Sequence, residues 1–175
     1  MNSIWLGAMI ISYIACILTI CSKEIYNEGG GNSLPITVSS TLSDEKIQPI
    51  IFASMLSMGF FTIMYESGRK CWVSFMAILL LLICIYGVIL IEENQSIHYV
   101  FATTAFMSIL VFMFQNMRNN RYDLFLCSAN VILFLLLMLY IIFGQEKTSG
   151  IFGYEIIFLI LFTIFYFTLH FRSIY

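Results

Sequence analysis

Six uninterrupted apolar stretches divide the chain: Ile4–Ser22, Ile47–Tyr65, Cys71–Ile91, Ile97–Phe114, Leu124–Phe143 and Ile151–Phe171. Each is 18 to 21 residues long, and of the eighteen Asp, Glu, Lys and Arg residues only Glu155 lies inside one. A hydrocarbon core of about 30 Å is crossed by roughly 20 residues at a rise of about 1.5 Å, and a backbone without water around it must close its hydrogen bonds within the segment. The pattern predicts an all-α integral membrane protein, a single domain over residues 1–175 built as a six-transmembrane-helix bundle.

Composition removes the competing class. Hydrophobic residues make up 61% of the chain and charged residues 10%, against about 25% charged in soluble domains, which leaves too little polar surface for a water-soluble helical protein. With a net charge of -2 and no block of like charge, neither nucleic-acid binding nor a polybasic lipid-docking segment is expected. The cysteines, Cys16, Cys21, Cys71, Cys84 and Cys127, are odd in number and lack Cys-x-x-Cys spacing, which argues against a disulfide framework or a zinc site and gives them packing roles. Cys71, beside a basic loop, is a weak candidate for palmitoylation. No cofactor or metal is expected. The first stretch reads as a retained helix, because residues 1–3 carry no Lys or Arg and no Ala-x-Ala-like site precedes Ser22.

Lys and Arg near helix ends set orientation. The N-terminus, Glu66–Lys70, Gln115–Asp123 and the tail carry Arg69, Lys70, Arg118, Arg121 and Arg172, while the alternate loops carry only Lys23, Lys46 and Lys147. This bias places both termini in the cytosol and a long first loop, Lys23–Lys46, on the lumenal or extracellular side. Trp5 and Trp72 then fall at the inner interface, where amphipathic indoles are favoured. Within the long loop, Gly29-Gly30-Gly31-Asn32-Ser33 reads as a flexible turn. Leu34–Leu42 reads as extended, and Ser43 or Asp44 caps the second helix with Asp44-Glu45 at its positive end and Pro49 tolerated in its first turn.

Helices surrounded by lipid associate through small residues and polar contacts. Helix one carries Ala8, Ser12, Ala15 and Thr19 on one face, and helix four carries His98, Ala102, Ala105 and Ser108, so both faces are expected to point inward. Helix two adds Ala53 and Ser57, helix three Ser74, Ala77, Cys84 and Gly87, and helix five Cys127, Ser128 and Asn130. Helix six, nearly all Ile, Leu, Phe and Tyr, is expected to meet lipid over much of its circumference. Asn130 is read as a structural polar group making an interhelical hydrogen bond, and His170, beside Arg172, as interfacial.

Glu155 lies four residues into its stretch, about 6 Å below the outer boundary at helical rise, and His98 sits at the outer end of helix four. An unpaired charge at that depth costs several kcal/mol, so pairing of the two is expected, unless Glu155 snorkels upward to water. Together with Asp44 and Glu45, they make up a candidate outer-leaflet site for a lipid headgroup.

On these residues the chain resembles the Frag/DRAM/Sfk superfamily, which includes the DRAM-type autophagy modulators and GPI-anchor lipid-remodelling proteins. The likeness covers nearly the whole chain. It rests on Leu34-Pro35-Ile36-Thr37-Val38-Ser39 leading to Asp44-Glu45 and Phe52, on His98-Tyr99-Val100-Phe101-Ala102-Thr103-Thr104-Ala105 opening helix four, and on Glu155 and Arg172 in the last helix and tail. The chain departs from the family in having Asp44-Glu45, with Pro49 later, in place of a Pro-Glu pair, and in lacking a glycine soon after His98. The resemblance implies a non-enzymatic, DRAM-like multi-pass regulator of membrane lipid organisation, GPI-anchor remodelling or autophagy and endomembrane trafficking, in the ER/Golgi, lysosomal or plasma membrane. Its partners would be membrane lipids, with a membrane-protein partner or homo-oligomer left open. The alternatives are a lipid- or GPI-modifying enzyme or enzyme subunit using Glu155 or His98 as base, a small channel or transporter, and a structural envelope membrane protein.

Overall fold

The computed structural model describes residues 4–15, 18, 48–69, 71–91, 95–118, 120–143 and 151–171. Every element among them is an α-helix: α1 (Ile4–Ala15), α2 (Gln48–Ser67), α3 (Trp72–Leu90), α4 (Ser96–Asn116), α5 (Arg121–Phe143) and α6 (Ile151–Phe171). Four segments, Trp72–Leu90, Ser96–Asn116, Arg121–Leu139 and Gly153–Phe171, are long and apolar enough to cross a bilayer by length and composition. The protein is an α-helical membrane protein.

Helix boundaries extend past the apolar stretches wherever a polar side chain finds a partner at a helix end. α5 starts at Arg121 instead of Leu124, because Asn120 accepts a hydrogen bond from the Asp123 backbone at 2.8 Å and donates one to the Asp123 carboxylate at 2.9 Å. This reciprocal cap satisfies amides that a helix start leaves open. α4 runs to Asn116, whose side chain bonds Ser74 and the Phe112 carbonyl, and α2 runs to Ser67 and so takes in Glu66.

The contacts fix the helix directions. Trp5 packs on Phe60 and Phe61 while Ser12 bonds Ser57, so α1 and α2 are antiparallel. Asn116 at the end of α4 bonds Ser74 at the start of α3. Along α4 and α6 the pairs Phe106–Phe158 and Phe112–Phe162 advance together, so these helices are parallel. The even-numbered helices therefore end where the odd-numbered ones begin, at one end of the bundle.

Ser74, Ala77 and Cys84 of α3 and His98, Ala105 and Ser108 of α4 are buried, and these two helices form the most extensive pairing. Gly87 lets them approach: a methyl group there would stand 2.6 Å from the Phe101 ring. On the opposite side of α3, Trp72, Val73, Met76, Leu80, Ile83 and Leu90 are exposed, a surface that suits hydrocarbon. Four helices depart from the sequence reading: Ala53 and Ser57 of α2 and Ser128 of α5 are exposed, and α1 and α6 also differ. α1 buries Leu6 and Met9, whereas Ala8 and Ser12 are only partly covered and Ala15 is exposed, because its neighbours are the bulky rings of α2 and α6. α6 has a buried face of Glu155, Phe158, Phe165, Tyr166, Leu169 and His170, opposite exposed Ile157, Ile160 and Ile164.

Overpacking typically costs about 1–3 kcal/mol. Gly87→Ala is expected to destabilise the bundle by about that amount in detergent-micelle unfolding. Gly153→Ala, with nothing within 4 Å of the new methyl group, carries no such cost and gains helix propensity, so its midpoint should not fall.

Candidate functional site

The densest polar cluster lies where α2, α4 and α6 end. Glu66 occupies the last turn of α2, and the chain then turns sharply, with Gly68 N–H bonding Tyr65 O at 3.1 Å and Arg69 N–H bonding Glu66 O at 3.0 Å. That reversal folds the Arg69 guanidinium back over Glu66, where Nη1 donates to Oε2 at 2.9 Å and to Oε1 at 3.2 Å. The Glu66 side chain is 0% exposed and that of Arg69 18%.

From α6, the Tyr166 hydroxyl donates to Glu66 Oε1 at 2.8 Å and lies 3.6 Å from the Met9 sulfur of α1. One turn later His170, with no exposed surface, places Nε2 3.2 Å from the same Oε1, at ion-pair distance but not aligned as a hydrogen bond. Its Nδ1 is hydrogen-bonded to the Tyr65 hydroxyl at 2.9 Å, and the Tyr65 and Tyr166 rings meet the imidazole edge to face. From α4, Asn116 accepts Arg69 Nη2 at 2.8 Å and donates to Ser74 Oγ at 2.8 Å. Ser74 continues to Cys71 Sγ at 3.0 Å, and these bonds, with the nearby Arg69 charge, hold the thiol below its ordinary pKa.

A buried carboxylate is tolerated only if paired and hydrogen-bonded. Here one guanidinium and one hydroxyl bond directly to Glu66, and together they stabilise its ionised form. The arrangement ties α2, α4 and α6 to one another and to the start of α3. Glu66, Ser74 and His170 are buried, while Arg69, Asn116 and Cys71 are partly exposed.

The sequence-derived candidates sit elsewhere. Asp44 and Glu45 lie outside the described residues. His98 is buried, and its Nδ1 donates to the Ile91 carbonyl at 2.8 Å across the α3–α4 turn. That fixes the tautomer of the neutral ring, leaving Nε2 a buried acceptor with no hydrogen-bond partner among the described residues. Glu155 is also buried. The ring contacts that pair Phe106 with Phe158, and Phe112 with Phe162 and Tyr166, set it level with residues 101–105 of α4. It therefore lies about one turn deeper than His98, at some 5.4 Å per turn, and no hydrogen bond joins the two. Asn130, fully buried, donates to the Met113 sulfur at 3.0 Å and links α5 to α4. His170, read as interfacial, is instead fully buried, because its i,i+4 spacing from Tyr166 places both on the inner face.

The missed residues had a signal. Glu66-x-x-Arg69 at a helix end is an i,i+3 ion pair, and Tyr166 and His170 share a face. Among the described residues, no three His, Cys, Asp or Glu side chains gather as a metal site. Compared with known proteins, the chain matches no family model, and no curated sequence or solved structure is similar to it.

Removing one member of a buried ion pair typically costs about 3–5 kcal/mol, less where water enters. Arg69→Ala is expected to destabilise the bundle by about 3 kcal/mol in detergent unfolding at neutral pH. Adding Glu66→Gln should restore part of that loss, a coupling read from the double-mutant cycle.

Proposed function

We propose that the chain is a non-enzymatic multi-pass membrane regulator of the DRAM type that its resemblance implies. In this reading six helices cross the membrane with both termini cytosolic, and the protein acts on lipid organisation, GPI-anchor remodelling or endomembrane trafficking by holding one arrangement of its bundle. The observation that carries it is the Glu66–Arg69–Tyr166–His170 cluster joining three helix ends. Ionisable residues are expensive within a membrane protein and commonly mark working parts. The carboxylate has no exposed surface and is already held by a guanidinium, which suits fixing a conformation better than serving as a catalytic base. Four bilayer-length helices and the alternation of helix directions support the multi-pass part of the reading.

Expression of the wild type in cultured cells is expected to shift the endomembrane lipid profile relative to an empty vector. Arg69→Ala protein that still reaches the membrane should lose most of that shift. Equal shifts from both would overturn the reading.

His98 favours an accompanying role for the other end of the bundle. Its buried, donorless Nε2 is suited to accept a hydrogen bond from a lipid hydroxyl or ammonium group, in a site that would include Glu155 and the Asp44-Glu45 loop. Mass spectrometry of gently purified protein is expected to find a headgroup class that co-purifies with the wild type and is lost from His98→Ala. The same lipids in both would refute it.

A further inference from the structure

We propose that His170 is an acid-sensitive latch, whose protonation opens the end of the bundle where α2 and α6 meet. The regulatory purpose of such a latch rests on the reading of the chain as a conformational regulator; the latch itself rests on geometry.

The sealed arrangement fits a neutral imidazole. His170 has no exposed surface, and Glu66 Oε1, the acceptor nearest its Nε2, already takes the Tyr166 hydroxyl and an Arg69 N–H. In either tautomer of the neutral ring, adding the second proton leaves an Nε2–H that faces Oε1 at 3.2 Å without hydrogen-bond alignment, so the new charge has only a poorly directed contact with the carboxylate. The groups facing the ring are few. α2 presents Tyr65 and Glu66, the turn after it presents Arg69, and α6 itself presents Tyr166. At this end α4 contributes the uncharged Asn116 and Phe112, and α1 the Met9 sulfur beside Tyr166. Lys70 and Arg172 lie outside the described residues.

A second cation would therefore be buried beside the one that already neutralises Glu66, the one carboxylate facing the ring among the described residues. A charge without water or a full partner is strongly unfavourable. Swinging the end of α6 away from Tyr65 and Glu66 lets the imidazolium reach water. The open form then binds one proton more than the closed form, so acidification favours opening. The sign is that of a histidine buried neutral: the closed state is secure above the ordinary imidazole range and weakens as the pH falls through it.

Hydrogen–deuterium exchange of the full chain in nanodiscs, corrected for the intrinsic pH dependence of exchange, tests this at the 62–69 and 163–171 segments. The open fraction in the wild type is expected to rise about tenfold between pH 7.5 and 5.5, the amount supplied by one proton on an imidazole of ordinary pKa ~6.5. His170→Gln, which keeps a polar group near Tyr65 but takes up no proton, should show no rise. Unchanged wild-type protection across that window overturns the latch, as does a rise that survives in His170→Gln.

If the variant does not fold, nitrogen-15 histidine spectra of the wild type decide. A charged His170 signal that grows in step with exchange supports the latch, and one that appears while protection is intact overturns it. The regulator reading is tested separately at neutral pH with Arg69→Ala, so a pH-insensitive latch would leave it standing.

Discussion

The rest of the structure depends on one constraint: a carboxylate with no contact to water must be given its partners by the fold. Glu66 gets them from two places, Arg69 across the turn that ends α2 and Tyr166 from α6. Meeting that demand brings three helix ends to one level and sets how closely α2 and α6 approach. Asn116 extends the arrangement by taking the free face of the guanidinium and handing a hydrogen bond to Ser74, so the start of α3 is aligned as well. Apolar packing along the helices is forgiving by comparison. It fills space, while the ion pair specifies which turns stand opposite each other.

The positions of the six helices were legible because hydrophobic runs of bilayer length have few other solutions. Ile151–Phe171 is the same in sequence and structure, and Cys71–Ile91 differs from α3 by one residue at each end. The errors lie at polar ends. Charge at Arg121 and Asp123 puts the apparent start at Leu124, yet those residues enter the helix once Asn120 caps it. Average hydropathy does not register a cap, which acts through single hydrogen bonds.

The candidate site was less legible, for a related reason. Glu66, Arg69 and Lys70 read as connector charges, and a connector is ordinarily wet. Whether a residue just past an apolar run meets water depends on the next helix over, which no single stretch encodes. His98 and Glu155 stand out in the sequence because they lie inside or at the edge of apolar runs; both are buried, but the α4–α6 register sets them at different levels. α6 misled for another reason. Its aromatic composition reads as lipid-facing, yet Phe158, Phe165 and Tyr166 fill the interior because large rings bridge gaps between helices as well as they meet acyl chains.

The fold-back of Arg69 onto Glu66 gives one residue two electrostatic identities in the life of the chain. Before α2 has met its neighbours, the guanidinium is an unpaired cation just past an apolar helix, the kind of charge that in general weighs on how a helix is inserted. Once the bundle closes, the same group is half of a neutral pair and presents little charge to its surroundings. A lysine there would serve the first task and, lacking the second nitrogen that reaches Asn116, fail the second. Biogenesis and final packing therefore place separate demands on this position, and arginine satisfies both.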